Sequence, residues 1–158
     1  PENVDNEKNL RLLVEIISEV QKIIAIAYPI HPRTVKMLKQ FNLYKEIIAM
    51  KNVKICEPLG YLDFLLLTKN SKFVVTDSGG LQEETSYLKI PCLTIRKNTE
   101  RPITVEQGTN TVTGLDKKNI IKNSKKILEG NYKKGYDIPL WDGRASERIV
   151  KILIDKLK

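Results

Sequence analysis

The feature that most constrains this chain is the regular exchange of short, branched apolar runs with stretches of helical periodicity. Leu10, Leu13, Val14 and Ile17 recur at helical spacing within residues 7–21, with Asp5 or Asn6 placed as N-cap. The run Ile23 to Ile30 is continuous, apolar and branched, as a strand buried on both faces of a parallel sheet reads. After His31-Pro32 comes a short helical pattern (Val35, Met37, Leu38, Phe41), then a strand at Val53 to Cys56. The exchange continues with helix Tyr61 to Lys69, strand Phe73 to Thr76, helix Leu81 to Lys89, strand Cys92 to Ile95, a short turn or helix, and a strand near Thr111 to Thr113. Two helices close the chain at roughly 117–129 and 143–157. The last carries Ile149, Val150, Ile152, Leu153 and Leu157 on one face. Strands alternating with helices predict an α/β domain, a Rossmann-like open parallel sheet with helices on both faces and right-handed crossovers. Ligands of such sheets bind beyond the carboxyl ends of the strands. Function is therefore expected just after His31, Cys56, Asp77, Ile95 and Gly114.

The 158 residues, 41% of them hydrophobic, suffice for one core. No run approaches the length of about 18 apolar residues that a membrane-spanning helix needs. No secretory-type apolar segment opens the chain, and its first residue is Pro1, so a processed start or a piece of something longer is expected. Cys56 and Cys92 sit inside apolar runs and read as small buried hydrophobes; they make neither a disulfide framework nor a metal set, and a reducing cytoplasm is the expected compartment. The net charge of +8 raises nucleic acid as a partner. The lysines, however, are spread over helical faces and loops (Lys117-Lys118, Lys125-Lys126, Lys133-Lys134) without interleaved aromatic residues, which is a solvated surface.

The most informative segment is Thr76-Asp77-Ser78-Gly79-Gly80-Leu81-Gln82-Glu83-Glu84. It follows an apolar strand and opens a helix. The glycines stand where a tight turn is expected and where a ligand approaches main-chain N–H groups without a Cβ in the way. Those groups and the positive end of the helix dipole make an anion site, to which the Ser78 hydroxyl adds a donor. The same segment also reads as a plain turn capped by Ser78, with Glu83 and Glu84 compensating the dipole. A carboxylate pointed at a diphosphate would repel it, so one of these glutamates is better employed accepting hydrogen bonds from vicinal hydroxyls, as of a ribose. Phosphate on the glycines and ribose on a glutamate together describe a nucleotide.

A second cluster, Arg96-Lys97-Asn98-Thr99-Glu100-Arg101-Pro102, follows the next strand and brings guanidinium forks suited to phosphate to the same edge of the sheet. Its alternative is a surface loop with Arg101 paired to Glu100 or a neighbouring carboxylate. Amides at one strand end and guanidinium at the next would hold a diphosphate from both sides.

These segments, with Gly108-Thr109 and with Asp142-Gly143, Ala145, Arg148 and Ile149, resemble in order and spacing the C-terminal half of the non-hydrolysing UDP-N-acetylglucosamine 2-epimerases. Pro1 to Asn6 looks like the family's His-Arg-x-Glu-Asn-Val segment without its His and Arg. The resemblance runs nearly end to end. It implies the C-terminal, UDP-binding half (residues 1–158) of a glycosyltransferase-B type two-domain fold, with an N-terminal domain of the same enzyme as partner, and a homodimer at full length. It implies an isomerase of polysaccharide biosynthesis that converts UDP-GlcNAc to UDP-ManNAc by anti elimination of UDP and re-addition, consuming no cofactor and no metal. Carried over by position, Ser78, Gly79 and Gly80 hold the diphosphate, Glu84 the ribose hydroxyls and Arg101 phosphate, while Phe64 flanks the uridine. Phe64 reads equally as a core aromatic of its helix. The catalytic carboxylates belong to the N-terminal domain, so this chain alone is expected to be inactive and marginally stable.

His31, in Tyr28-Pro29-Ile30-His31, corresponds to a segment near an effector site in bacterial relatives; its alternative is a strand-end histidine bonded to backbone. Ile103 stands where many relatives have Glu after the Glu-Arg-Pro, which leaves room for another UDP-2-acetamido sugar. A glycosyltransferase of the same architecture and a nucleotide-sugar-binding module without chemistry are the competing classes, with a nucleic-acid binder last.

Overall fold

The computed structural model describes residues 3–157. Pro1 and Glu2, which open the segment compared with His-Arg-x-Glu-Asn-Val, lie outside the described residues. Asn6 caps helix α1 (Glu7–Val20), its side-chain oxygen accepting the Asn9 N–H at 3.1 Å. The apolar stripe of α1 is buried at Leu10, Leu13, Val14, Ile16 and Val20. Strand β1 (Ile26–Pro29) follows, then α2 (Pro32–Gln40), α3 (Tyr44–Ile48), β2 (Val53–Cys56) and α4 (Tyr61–Lys69). The second half runs β3 (Val74–Thr76), α5 (Gly79–Tyr87), β4 (Cys92–Thr94), α6 (Pro102–Glu106), β5 (Asn110–Val112), α7 (Lys117–Leu128) and α8 (Ala145–Lys156).

All strand pairs are parallel, as the unbroken apolar runs predict, and the fold is Rossmann-like α/β. One expectation is corrected. In place of one continuous sheet there are two ladders, β1–β2 and β3–β4–β5, and among the described residues β1 and β3 share no backbone hydrogen bonds. Side chains join the ladders instead. Leu93 and Ile95 belong to the same apolar cluster as Leu10, Val14, Ile30, Leu38, Leu43 and Ile120. Asn3 adds a polar link, donating from Nδ2 to the Ile95 carbonyl at 3.2 Å and to Asp77 Oδ2 at 3.4 Å. At the N-terminal end, Arg33 grips Asp5 through two bonds (2.8 and 2.5 Å).

The interior has two characters. Beneath α1, α2 and α3 it is aliphatic. Between α5, α6 and the β4–β5 ladder it is built of Gln82, Thr85, Ser86, Thr94, Thr104, Thr109 and Asn110, all at most 2% exposed. Buried groups of this kind must find partners within the protein, and among the described residues all but Gln82 Nε2 do. Gly108 is required by this packing: a Cβ there would stand 2.3 Å from Ser86 Oγ and 2.6 Å from the Thr104 carbonyl oxygen. Helix α8 is the exception to burial, with none of its residues buried and Ile149, Val150, Leu153 and Ile154 each more than half exposed. Arg148 ties it to the preceding turn through both Asp142 oxygens (2.9 and 3.0 Å). No helix among the described residues is long and apolar enough to cross a membrane.

Candidate functional site

β3 ends at Thr76, and its hydroxyl accepts the Ser78 N–H at 3.0 Å, turning the chain into α5. Ser78 is the N-cap, in an extended conformation, with Oγ accepting from Leu81 N–H at 3.5 Å. The helix therefore starts two residues earlier than its apolar pattern suggests, and Gly79 and Gly80 are its first two residues. Their N–H groups have no carbonyl one turn back to bond to, and Ser78 and Gly80 are exposed.

The expectation that these glycines make a tight turn is corrected. Neither has a positive φ; the glycines that do are Gly114, Gly130 and Gly143. A Cβ on Gly79 would meet nothing within 4 Å, and one on Gly80 only Ser78 Oγ at 3.9 Å. Neither backbone conformation nor internal packing requires glycine here. What the two glycines keep open is the space over the helix end.

Glu83 and Glu84 fall in the second turn, and the first turn of α5 carries no acidic residue. Dipole compensation at the helix start is thus not their task. Glu83 accepts from Arg101 Nε at 2.9 Å, while Arg96 pairs with Glu100 at 3.5 Å. The Glu83 pairing ties the loop after β4 to α5, with the Arg101 side chain 44% exposed. The neighbour relation follows from the β3–β4 pairing itself, with Thr76 beside Thr94. Among the described residues no hydrogen bond or ion pair engages the half-buried Glu84 carboxylate. Phe64 lies on α4, half-buried and outside the residues packed on the aliphatic core.

His31 is exposed and caps α2, its Nδ1 accepting the Arg33 N–H at 3.1 Å. The backbone-bonded reading accounts for all its contacts in the structure. Beside the same sheet edge, Tyr28 is pushed up to about 12, first by burial and then by the charge of Asp77. Cys92 is buried and its thiol raised by burial, which makes it an inert hydrophobe. No group of three or more His, Cys, Asp or Glu side chains among the described residues is arranged to hold a metal ion. The clefts between α1, α3 and α7 and along α8 are lined by none of the residues named for the nucleotide. Ser78 and Gly80 are exposed.

Sequence reasoning missed the buried layer beneath this face, where Thr99 Oγ1 donates to Gln82 Oε1 at 2.5 Å. Polar residues inside a helix and a loop carry no periodic signal. Only their shared interior reveals them.

The family model described as UDP-N-acetylglucosamine 2-epimerase matches residues 1–154. A relative from Methanocaldococcus jannaschii named UDP-N-acetylglucosamine 2-epimerase is 49% identical over 154 residues, covering 96% of this chain and 42% of its own length. One of the same name from Methanococcus maripaludis is 42% identical over 159 residues, covering 99% of this chain and 43% of its own length. The crystal structure of the M. jannaschii UDP-GlcNAc 2-epimerase in complex with UDP-GlcNAc and UDP superposes with a TM-score of 0.87 at 49% identity, over 97% of this chain and 42% of that one. The chain thus spans less than half the length of these relatives.

Proposed function

The chain belongs to the UDP-N-acetylglucosamine 2-epimerase family, and from that membership we propose that it supplies the UDP-binding half of an isomerase interconverting UDP-GlcNAc and UDP-ManNAc. The observation that carries this reading is the open N-terminus of α5, where two glycines are demanded by neither φ nor packing and Arg101 is drawn alongside. Gly79, Gly80 and Ser78 donate to the diphosphate, and Arg101 neutralises it from the β4 side. Glu84, which has no partner of its own among the described residues, accepts from the ribose hydroxyls. Phe64 flanks the uracil.

In the proposed reaction a base removes the C2 proton while the C1–O bond breaks. UDP leaves with that bond's electron pair, giving a 2-acetamidoglucal. UDP then adds back at C1 and a proton returns to C2 on the opposite face. Negative charge grows on the diphosphate oxygen as the bond breaks. Preplaced N–H groups and a guanidinium stabilise that charge more in the transition state than in the ground state. Glu83 contributes by holding Arg101 through Nε; Nη1 donates to the Glu100 carbonyl at 3.4 Å, and among the described residues Nη2 is left for phosphate. The base and the facing wall of the cleft are assigned to a second, N-terminal domain, and the working enzyme to a homodimer. The uncovered apolar residues of α8 and of α4 (Leu62, Leu66) support a further packing partner for this domain.

The whole gene product containing this chain should interconvert the two UDP-sugars. Absence of both epimerisation and UDP-glycal formation overturns the reaction. Calorimetry with UDP tests the site separately: Arg101→Ala should weaken binding about 10- to 100-fold, the worth of a charged hydrogen bond.

A further inference from the structure

Five residues of the polar interior, Thr94, Asn110, Gln82, Thr99 and Thr104, form one connected hydrogen-bonded set. Thr94 Oγ1 on β4 donates to Asn110 Oδ1 on β5 at 2.6 Å. Asn110 Nδ2 donates to Gln82 Oε1 on α5 and to Thr104 Oγ1 on α6, both at 3.0 Å. Thr99 Oγ1 donates to the same Gln82 oxygen. Each hydroxyl thus has one assigned proton. Asn110 has its carbonyl and both of its amide protons engaged.

This system ends on the main chain of Arg101, from both sides. The Arg101 N–H donates to Thr99 Oγ1 at 2.9 Å, and Thr104 Oγ1 donates to the Arg101 carbonyl at 2.7 Å. Arg101 precedes α6 with φ −124° and ψ 61°, neither helical nor extended, and no side chain caps the helix there. The two hydroxyls hold its main chain together with the Thr104 N–H, which donates to the same carbonyl at 3.0 Å. Gln82 Nε2 is buried with no partner among the described residues.

We propose that Asn110 and Gln82 are positioning residues which, acting through the hydroxyls of Thr99 and Thr104, fix the main chain of Arg101 and so aim its guanidinium at the diphosphate. The inference rests on the reading of Arg101 as a phosphate ligand. Because Gln82 lies in the helix whose N-terminus is the other half of the anion site, the same amide sets the separation of the two halves.

The experiment is a set of double-mutant cycles on UDP affinity, measured by calorimetry in the whole gene product. Thr99→Val and Asn110→Leu should each weaken UDP about tenfold, which is roughly 1.4 kcal/mol. In an Arg101→Ala background the same changes should alter affinity less than about twofold. Thr99→Ser, which keeps the hydroxyl, should bind as the parent does. If Asn110→Leu does not fold, the Thr99 pair decides alone. Equal losses in both backgrounds, an unchanged affinity in Thr99→Val, or a Thr99→Ser as weak as Thr99→Val each overturn the proposal. If Arg101→Ala alone leaves UDP binding intact, the reading of Arg101 is what fails, and the inference falls with it.

Discussion

Two glycines separated by a short stretch of chain are glycine for opposite reasons, and the difference is measurable. Gly108→Ala forces a Cβ into the Ser86 hydroxyl and the Thr104 carbonyl. Chemical denaturation should show a loss of about 1–3 kcal/mol or more, as overpacking costs. Gly79→Ala meets nothing within 4 Å, so stability should hold or rise slightly, since alanine is the better helix former. UDP affinity should nevertheless fall. A Gly79→Ala protein that binds UDP as well as the parent would remove the open helix end from the site. Ser78-Gly79-Gly80 stands out in the sequence as a candidate anion site because it sits between a strand and a helix. That Gly108 is a packing glycine was not readable, because the Ser86 side chain it avoids belongs to α5, distant in sequence.

Among the elements, β2 and α4 have the bounds that periodicity and composition assign, and α1 and α7 differ by a residue at one end. α3 escaped notice because five residues are too short to display a helical repeat. β1 is shorter than its apolar run, since Ile23 and Ile24 belong to the turn after α1 and Ile30 follows the ladder. The stripe on α8 was read correctly, but a stripe says only that a helix has an apolar face, not that this domain covers it. With no residue buried, α8 is held chiefly by Arg148 on Asp142. The bond to Arg148 and the N–H of Arg144 hold Asp142 down at about 2. A carboxyl lowered in the folded state stabilises above its ordinary value of 3.8 and loses that contribution as pH falls through about 2. Amide exchange of α8 should therefore quicken between about pH 4 and pH 2, before that of β4, whose three residues are all buried. Asp142→Asn should reproduce the faster exchange at neutral pH.

For the molecule as a whole, alkali is the complementary probe. The chain has six tyrosines, of which Tyr28 and Tyr132 are each raised from 10.0 to about 12, chiefly by burial. The Tyr132 hydroxyl lies against the Thr111 hydroxyl and the carbonyls of Cys92 and Thr109. A phenol raised in the folded state leaves stability intact below its unfolded value and reduces it as pH rises through the folded one. Stability should hence decline between about pH 10 and pH 12. Ultraviolet titration should show two phenols ionising late, and Tyr132→Phe should remove one of them. The division of the interior into an aliphatic half and a half of hydroxyls and amides has a thermal consequence as well. Exposing apolar surface raises the heat capacity on unfolding and exposing polar surface lowers it. A domain that hides so many threonines, with Gln82 and Asn110, should show a heat-capacity change per residue below the usual ~12–15 cal/mol/K. Its stability curve would then be broad and shallow, varying little across the temperatures over which a purely aliphatic core of the same size would gain and lose its strength.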